Sequence, residues 1–249
     1  MEIFTFGNGR RLEVCKDYLS KLSLGKERLI LLPIPTTRDT LHVKGTTTLL
    51  SDIYPLCKAG TVVCGYGIPK EARLSFEERG ALVIDGLLDE DFLCENATLT
   101  VYGALGEILS SFEAAPSELS IGIVGYGRIG KRLLSSLLFL GARVKLYTRS
   151  EEVRLTLGRE GVESEIFSEG SDYSGLDLLI NTAPTRVLCE ERMRGYEDAG
   201  LKILDLASGE CFPPSPSVKK LASIPERSYP VSAGRLYGKF IMGQLGEKK

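Results

Sequence analysis

The fold is decided by one stretch of the sequence, residues 120–130, which reads SIGIVGYGRIG. The stretch opens with a short apolar run of the kind that forms a buried strand, and Gly125, Gly127 and Gly130 follow it. When glycines with this spacing lie between a strand and a helix, the first permits a tight turn and the second lets a pyrophosphate approach the backbone, while the third allows close helix–strand packing. The stretch therefore predicts a βαβ unit that holds a dinucleotide at a helix N-terminus, where unpaired N–H groups and the helix dipole favour phosphates.

Strands and helices alternate along the rest of the chain as well. Short apolar runs predict strands, and apolar residues at helical spacing predict helices. The predicted strands are residues 2–6, 28–32, 61–64, 81–84, 120–124, 143–147, 176–181 and 202–206, and the predicted helices are residues 10–22, 49–57, 96–114, 129–140, 151–160, 188–196 and 233–245. Such alternation is typical of a parallel sheet that is covered by helices on both faces.

Two α/β domains account for this alternation in a chain of 249 residues. We expect residues 96–249 to form a Rossmann-type, doubly wound parallel sheet, which begins with a connecting helix and ends with a returning C-terminal helix. We expect residues 1–95 to form a smaller α/β domain of flavodoxin-like type. The second domain contains the glycine stretch and should therefore bind the nucleotide.

Composition and charge exclude several classes of protein. The 31 Lys and Arg residues are balanced by 33 Asp and Glu residues, which leaves no basic excess for nucleic-acid binding. The longest apolar stretch, residues 133–142, is far shorter than the roughly 20 residues that span a bilayer, and the N-terminal sequence lacks the pattern of a secretory signal. The six cysteines form no Cys-x-x-Cys pair and are interpreted as reduced, mostly buried thiols. We therefore expect a cytoplasmic protein without nucleic-acid or membrane partners.

The chain has a single histidine, His42, which excludes a metal site built from several histidines. We expect no bound metal. A dehydrogenase of 2-hydroxy acids ordinarily uses a histidine paired with a carboxylate as its general base. Because His42 lies far in sequence from the glycine stretch, we interpret it as a surface or structural loop residue. No catalytic residue is assigned, and proton transfer is left to Lys, Tyr, Asp or Glu, or to the substrate itself.

The end of the second strand of the βαβ unit indicates which dinucleotide binds. An NAD site usually has an acidic residue there, about 20 residues beyond the glycines, that accepts hydrogen bonds from the ribose. This chain has Thr148, Arg149 and Ser150 instead. A guanidinium between two hydroxyls suits the additional phosphate of NADP, so we expect NADP rather than NAD. The alternative is that Arg149 is solvated or stacks on the adenine.

Small residues follow two later strands of the same unit, in the segments 181–184 and 205–208. Ligands of a doubly wound sheet lie outside the carboxyl ends of its strands, so these segments should line the nicotinamide pocket. An ordinary turn or helix cap is the alternative for each segment. The predicted cofactor-binding residues are Gly125, Tyr126, Gly127, Arg128, Ile129, Gly130, Thr148, Arg149, Ser150, Asn181, Thr182, Ala183, Leu206 and Ala207.

Two polar loops follow the first two strands, at residues 7–11 and 33–38. Their backbone N–H groups, together with Arg10, Thr36 and Thr37, would suit the carboxylates of a small substrate. The alternative is that these residues serve only the structure of the loops.

Several short motifs, spread over most of the chain, occur in the same order as in one known family. The most specific are Arg-Ser at residues 149–150, Asn-Thr-x-Pro at 181–184 and Asp-Leu-Ala-Ser at 205–208. Further matching segments are residues 7–13, 31–37, 67–68, 96–103, 124–130 and 141–145. In this combination the sequence resembles the dipicolinate synthase family. That family has two kinds of subunit, and the resemblance is to the A-type.

The resemblance implies a bacterial sporulation enzyme that oxidises a cyclic precursor of tetrahydrodipicolinate type to dipicolinate. It also implies NADP as the hydride acceptor, and its partner would be the flavoprotein-like B-type subunit. Thr100 matches a threonine of the family and joins Arg10, Thr36 and Thr37 as a predicted substrate-binding residue. Because the precursor is driven toward an aromatic ring, the need for a strong protein base would be smaller, which agrees with the single histidine.

The sequence departs from the family at two places near the expected substrate. Tyr102 stands where the family has an acidic residue, and residues 209–212 replace an Arg-Pro-Gly-Gly segment. The missing arginine is a potential partner for a substrate carboxylate, and Glu210 would repel one. Two alternatives therefore stay open: a non-catalytic, NADP-binding regulatory subunit, and a dehydrogenase of another small carboxylate, although the Lys–Asp pair of shikimate-type enzymes is not recognisable. The sequence also leaves open whether identical subunits assemble.

Overall fold

Two parallel sheets organise the chain in the computed structural model, which describes residues 2–22 and 28–246. One sheet belongs to a unit made of Met1–Leu99 and Pro225–Lys249, which we call unit 1. The other belongs to Thr100–Ile224, which we call unit 2. The predicted α/β class with parallel sheets is confirmed.

Unit 1 has a four-stranded sheet whose strands are parallel and lie in chain order, β1-β2-β3-β4. This order differs from that of flavodoxin, in which the first strand lies between the second and the third. The strands are β1 (Glu2–Thr5), β2 (Arg28–Leu31), β3 (Thr61–Gly65) and β4 (Leu82–Asp85), and the helices that accompany them are α1 (Arg10–Ser20), α2 (Lys70–Glu78), the first part of α3 (Glu90–Ser111) and two short 3-10 helices, Leu50–Leu56 and Gly86–Leu88.

The inner strands β2 and β3 of unit 1 are apolar on both faces, as strands covered on both sides must be. Leu29 and Leu31 of β2 contribute to the core cluster that contains α1 residues. Their neighbours Ile30 and Leu32 contribute to a second cluster, which contains Phe76 of α2. Because side chains alternate along a strand, one sheet supplies both clusters.

The C-terminal helices are α7 (Ile224–Ser228) and α8 (Pro230–Gly246), and α8 packs against α1 in unit 1. A Cβ on Gly234 would lie 2.6 Å from that of Val14, and a Cβ on Gly238 would lie 2.5 Å from Cδ1 of Tyr18. The two glycines thus allow a close approach that any side chain would block. The structure therefore corrects the predicted division of the chain: α8 is grouped with unit 1, not with the domain predicted over residues 96–249.

Unit 2 has a six-stranded parallel sheet with the order β10-β9-β8-β5-β6-β7. Numbered from its own first strand, this is the 3-2-1-4-5-6 order of the doubly wound dinucleotide fold. The strands are β5 (Ser120–Val124), β6 (Arg143–Thr148), β7 (Glu163–Ile166), β8 (Leu178–Asn181), β9 (Lys202–Asp205) and β10 (Val218–Lys220), and the helices are the rest of α3, α4 (Arg128–Phe139), α5 (Glu151–Arg159), α6 (Glu190–Asp198) and a 3-10 turn, Pro116–Glu118.

The topological switch point of unit 2 lies between β5 and β8, which pair with each other and carry their connections to opposite sides. A crevice opens outside the carboxyl ends of the strands at such a point. Gly125 follows β5 there, and Thr182 follows β8. The fold therefore places the glycine stretch at the position where doubly wound sheets bind their ligands.

All six cysteines are free thiols, and four of them, Cys15, Cys57, Cys64 and Cys211, are buried. This confirms the interpretation of the cysteines as reduced and mostly buried. Burial raises the pKa of Cys15 to about 12 and raises that of Cys64 well above its ordinary value, so both are protonated at neutral pH.

Among the described residues, no helix is both long and apolar enough to cross a bilayer. The same residues contain no group of three or more His, Cys, Asp or Glu side chains arranged to hold a metal ion. The imidazole of His42 instead lies beside a single carboxylate, with its Nδ1 2.7 Å from Oδ2 of Asp39.

Candidate nucleotide-binding site

The turn between β5 and α4 needs its first and third glycines for steric reasons. Gly125 has a φ of 99°, a conformation that residues with a side chain rarely adopt. A Cβ on Gly125 would also lie 2.7 Å from Oγ1 of Thr182. A Cβ on Gly130 would overlap the carbonyl oxygen of Gly125. These two glycines therefore close the turn and bring α4 against it.

The second glycine has a different environment. Gly127 is the N-cap of α4, its φ is −81°, and a Cβ built on it would meet no atom within 4 Å. As a glycine, Gly127 has no side chain that could cap the N-terminus of α4. The first-turn N–H groups of a helix lack intrahelical acceptors, so this end of α4 has the donors, and Gly127 has the open space, that a pyrophosphate requires.

The remaining residues of the glycine stretch occupy different surroundings. Tyr126 and Ile129 are partly buried against the core of unit 2. The ammonium of Lys131 lies 5.1 Å from the centre of the Tyr126 ring, within range of a cation–π interaction. Arg128 is exposed at the start of α4.

A pocket of about 300 Å³ lies beside the glycine turn, at the carboxyl ends of β5 and β6. Its walls combine apolar side chains with hydroxyls and one guanidinium, and none of the described residues that line it is acidic. The lining residues are Val124, Gly125, Tyr126, Tyr147, Thr148, Arg149, Ser150, Val153, Phe167, Ala183, Pro184 and Thr185.

Arg149 is held in this pocket by two contacts. Its Nη2 donates a hydrogen bond to Oγ1 of Thr185 over 2.5 Å, and its guanidinium carbon lies 5.8 Å from the centre of the Phe167 ring. Phe167 is itself fixed next to β6, because its N–H donates to the carbonyl of Thr148. The guanidinium is thus oriented but exposed, and several of its five N–H groups can still donate to a ligand.

The two hydroxyls beside Arg149 stabilise the turn into α5. Thr148 is buried, and its Oγ1 accepts a hydrogen bond from the N–H of Ser150 over 3.2 Å. Ser150 is the N-cap of α5, and its Oγ accepts from the N–H of Val153. Thr148 therefore contributes to the pocket by holding its neighbours in position. Ser150 is exposed, and its hydroxyl can still donate a hydrogen bond to a ligand.

Asn181 and Asp205 are buried at the ends of β8 and β9, where they bond to each other. Asn181 Oδ1 also accepts from the N–H of Ala183, and Asp205 Oδ1 accepts from the N–H of Ala207. The side chains of this pair thus hold the two loops that were predicted to line the nicotinamide pocket. Thr182 is fixed in a similar way, because its Oγ1 donates to the carbonyl of Val124.

Lys220 brings a positive charge to the loop that lacks the family's arginine. It ends β10, and its Nζ lies 3.2 Å from Oδ2 of Asp205. The same ammonium donates to the carbonyl of Gly209. Leu206 and Ala207, which were predicted to bind the cofactor, lie in the same loop between these two contacts and are partly buried. Sequence reasoning overlooked Lys220 because the edge strand that carries it was not predicted.

The residues predicted to bind substrate have dissimilar environments. Arg10 is exposed and pairs with Glu13 on its own helix, at 2.9 Å. Thr36 is fully buried, and its Oγ1 accepts from the N–H of Tyr66 over 2.8 Å. Thr37 Oγ1 donates to Oδ1 of Asp39.

The fourth of these residues, Thr100, belongs to unit 2 and is buried on α3, whereas the other three belong to unit 1. Tyr102 on the same helix is about half exposed. The structure thus assigns Thr36 to internal support of its loop, and it pairs Arg10 with a surface carboxylate.

Phe167 and Thr185 are among the residues of the nucleotide pocket that were not expected from the sequence. Phe167 follows β7, an edge strand whose residues read ESEI and give no apolar signal. Thr185 lies three residues beyond Thr182, outside the segment chosen for its small residues. The aromatic ring next to a strand end was the only local signal for Phe167.

Comparison with known proteins gives matches at the level of structure. No protein-family model matches the sequence, and no curated protein matches it. The A-type subunit of dipicolinate synthase from Bacillus halodurans has a TM-score of 0.74 and 18% identity, over 98% of this chain and 97% of that one. The corresponding chain of dipicolinate synthase from Bacillus subtilis has a TM-score of 0.75 and 17% identity, over 99% of this chain and 96% of that one.

A more distant match is the transhydrogenase from Sinorhizobium meliloti, with a TM-score of 0.60 and 16% identity over 98% of this chain and 93% of that one. Identities this low show a shared fold and leave the reaction open. The chain is therefore similar in fold to the A-type subunit of dipicolinate synthase and, more distantly, to this transhydrogenase.

Proposed function

We propose that this chain is an NADP-dependent oxidoreductase that oxidises a cyclic dicarboxylate of tetrahydrodipicolinate type, with hydride transfer to NADP. The observation that carries the proposal is the position of Arg149. This residue lies at the end of β6 and lines a pocket, and none of the described residues that line this pocket is acidic. The family resemblance and the similarity in fold to dipicolinate synthase supply the substrate class.

The residues of the pocket fit the parts of a dinucleotide. The N-terminus of α4 and the open space at Gly127 would take the pyrophosphate. Arg149 and Ser150 would bind the phosphate on the adenosine ribose, and the ring of Phe167 would pack against the adenine. When bound, the nicotinamide supplies the hydride acceptor.

The nearest carboxylates do not favour NAD. Glu151 and Glu152 lie in the first turn of α5, and Glu151 pairs with Arg154 on the same helix. A carboxylate engaged in this way is a poor acceptor for the ribose hydroxyls of NAD. Charge at the strand end therefore favours the dinucleotide that carries the additional phosphate.

The likeness to dipicolinate synthase also supports the proposals on context. We expect the chain to work in the cytoplasm of a sporulating bacterium, beside a flavoprotein-like B-type subunit. Lys220 would take the place of the missing arginine as a partner for a substrate carboxylate, because its ammonium lies on the loop after β9.

Calorimetric titration of the purified protein with NADP and, separately, with NAD at low salt tests the cofactor. We expect NADP to bind about tenfold or more tightly than NAD, since a phosphate–guanidinium pair is a charge-assisted interaction. In Arg149→Gln this preference should disappear. Arg154→Gln, which removes a partly exposed arginine of α5 from its pair with Glu151, is the matched control and should keep the preference.

Turnover separates the proposal from its alternatives. The cyclic precursor, made from aspartate semialdehyde and pyruvate, should yield NADPH with this chain alone or with the flavoprotein-like partner present. NADP binding without turnover on the precursor or on other small carboxylates would identify a regulatory subunit. Turnover only on another carboxylate would identify a different dehydrogenase.

A further inference from the structure

A second pocket, of about 340 Å³, lies within unit 1 in the loop after β2. Residues of one continuous stretch line it, and they combine three basic side chains with two threonines and one carboxylate. The lining residues are Arg38, Asp39, His42, Val43, Lys44, Gly45, Thr46 and Thr47. A polar concave surface that comes from a single loop needs an ordered loop if it is to bind a ligand.

Asp39 and Thr36 order this loop. Asp39 Oδ1 accepts from the N–H groups of Leu41 and His42, over 3.0 and 2.8 Å. These bonds, together with the contact to the His42 ring, hold the pKa of Asp39 well below its ordinary value. The backbone N–H of Lys44 donates to the carbonyl of Thr36 over 2.9 Å, which fixes the far side of the loop. The pocket is therefore built into the fold of unit 1.

Arg38 leaves one positive charge of this region without a partner among the described residues. Within the described residues, the exposed guanidinium of Arg38 has neither a hydrogen bond nor an ion pair. Lys44 is half-buried, and its Nζ donates to the carbonyl of Ile34 over 2.9 Å and lies 3.5 Å from Oε2 of Glu226. Burial lowers the pKa of Lys44, and repulsion from Arg38 and Arg11 adds to the effect.

Arg11 adds a third cation, which is close enough to Lys44 to lower its pKa. Arg11 is only 4% exposed, and its Nη2 donates to Oδ1 of Asn96 over 3.0 Å. Its Nε is buried without a partner among the described residues, and no carboxylate of those residues lies within ion-pair distance of the guanidinium. Arg11 and Arg38 thus both act on Lys44 as like charges, and Glu226 attracts both Arg11 and Lys44.

We propose that the pocket of residues 38–47 binds a carboxylate group of a small anionic ligand, with Arg38 and Lys44 as its charged partners. Asp39 occupies Nδ1 of His42, so Nε2 is the ring nitrogen left to contact an oxygen atom of the same ligand. Thr46 and Thr47 supply neutral contacts at the rim. The proposal deepens the proposed function, on which it rests for the dicarboxylate class, and it moves the carboxylate site away from Arg10.

The test is calorimetric titration with pyridine-2,6-dicarboxylate as the probe, in the absence of nucleotide. The uncharged pyridine-2,6-dicarboxamide serves as the comparison ligand and should not bind. Arg38→Gln should weaken binding of the probe by about tenfold or more, since a hydrogen bond between charged groups is lost. Lys44→Met should do the same. Lys58→Met, at an exposed lysine of the same unit, is the control and should bind as the unchanged protein does.

Arg38 is exposed, so Arg38→Gln should fold normally and keeps the test decisive even if Lys44→Met is unstable. Arg10→Gln distinguishes the two assignments of the site: if it weakens binding while Arg38→Gln does not, the proposal is overturned and the first prediction stands. Absence of probe binding by the unchanged protein, with and without NADP, also overturns it. The NADP titration described above is read independently, so failure of this inference leaves the cofactor assignment intact.

Discussion

Asn181 and Asp205 join two neighbouring strands of unit 2 through a hydrogen bond of 2.9 Å between Nδ2 and Oδ1, and both side chains are buried. Each also accepts an N–H from the loop that follows a strand end. One buried pair therefore sets the conformation of both loops beside the switch point.

Asp205→Ala tests this role of the pair. The variant leaves the amide of Asn181 buried without its acceptor, which costs about 2 kcal/mol of unfolding free energy. It should also weaken nucleotide binding, because the loops lose their anchors. Urea unfolding measures the first effect and calorimetry the second. Asp198→Ala, at an exposed carboxylate that ends α6, should change stability by less than about 0.5 kcal/mol; equal effects of the two variants would contradict the assigned role.

Gly127→Ala should separate binding from stability. A Cβ at this position meets no protein atom, so the unfolding free energy should change by less than about 0.5 kcal/mol. The same methyl group would occupy the space proposed for the pyrophosphate, and we expect nucleotide affinity to fall by about tenfold. Gly130→Ala should destabilise the fold as well, since its Cβ would overlap the carbonyl of Gly125. Unchanged affinity in Gly127→Ala would place the phosphates elsewhere.

Gly234→Ala should destabilise unit 1 through the contact between α1 and α8. Its Cβ would lie 2.6 Å from both the carbonyl oxygen of Arg11 and the Cβ of Val14, so the helices must separate. Overpacking of this kind costs about 1–3 kcal/mol. Gly243→Ala, on the same helix but in open space, should stabilise the protein by up to about 1 kcal/mol because alanine favours helix. Thermal unfolding of both variants gives the answer, and a pair of equal shifts would rule out close packing at Gly234.

The glycine turn was predictable because its information is local. Gly125, Gly127 and Gly130 define a turn, an open approach and a close contact within six residues, and the apolar strand before them fixes the register. The central strands of unit 2 were predictable for the same reason, since burial on both faces gives continuous apolar runs. The pair of Asn181 and Asp205 was only partly predictable, because the sequence does not show that the two side chains bond to each other.

Contacts between distant segments escaped prediction. The edge strands β7 and β10 are short and polar, so Phe167 and Lys220 could not be placed beside the nucleotide unit. Gly234 packs on α1 and so joins the C-terminal helix to the first helix of unit 1. No local sequence pattern predicts this contact. The pairing of Arg10 with Glu13 also escaped prediction, because it is a property of the folded helix.

Thiol titration provides a test of the core. Burial raises the pKa of Cys15 to about 12 and also raises that of Cys64 well above its ordinary value, so neither forms thiolate at pH 8. Cys94 and Cys189 are partly exposed, and we expect only these two to react with an aromatic disulfide reagent in the folded protein. All six should react in urea. Rapid reaction of four or more thiols without denaturant would mean that the core opens readily.

Arg11→Met should weaken binding of the dicarboxylate probe and should maintain or increase the stability of the fold. Burial lowers the pKa of Arg11 to about 10, so the group stays charged at neutral pH although no carboxylate of the described residues pairs with it directly. Because a charge that is buried without a paired carboxylate is costly, an apolar side chain of similar length should leave the protein as stable as before or more stable. The same change removes a positive charge next to Lys44, so affinity for pyridine-2,6-dicarboxylate should fall while NADP affinity stays constant. Urea unfolding and calorimetry on one preparation check both halves, and a variant that is less stable yet binds the probe normally would show that Arg11 serves packing alone.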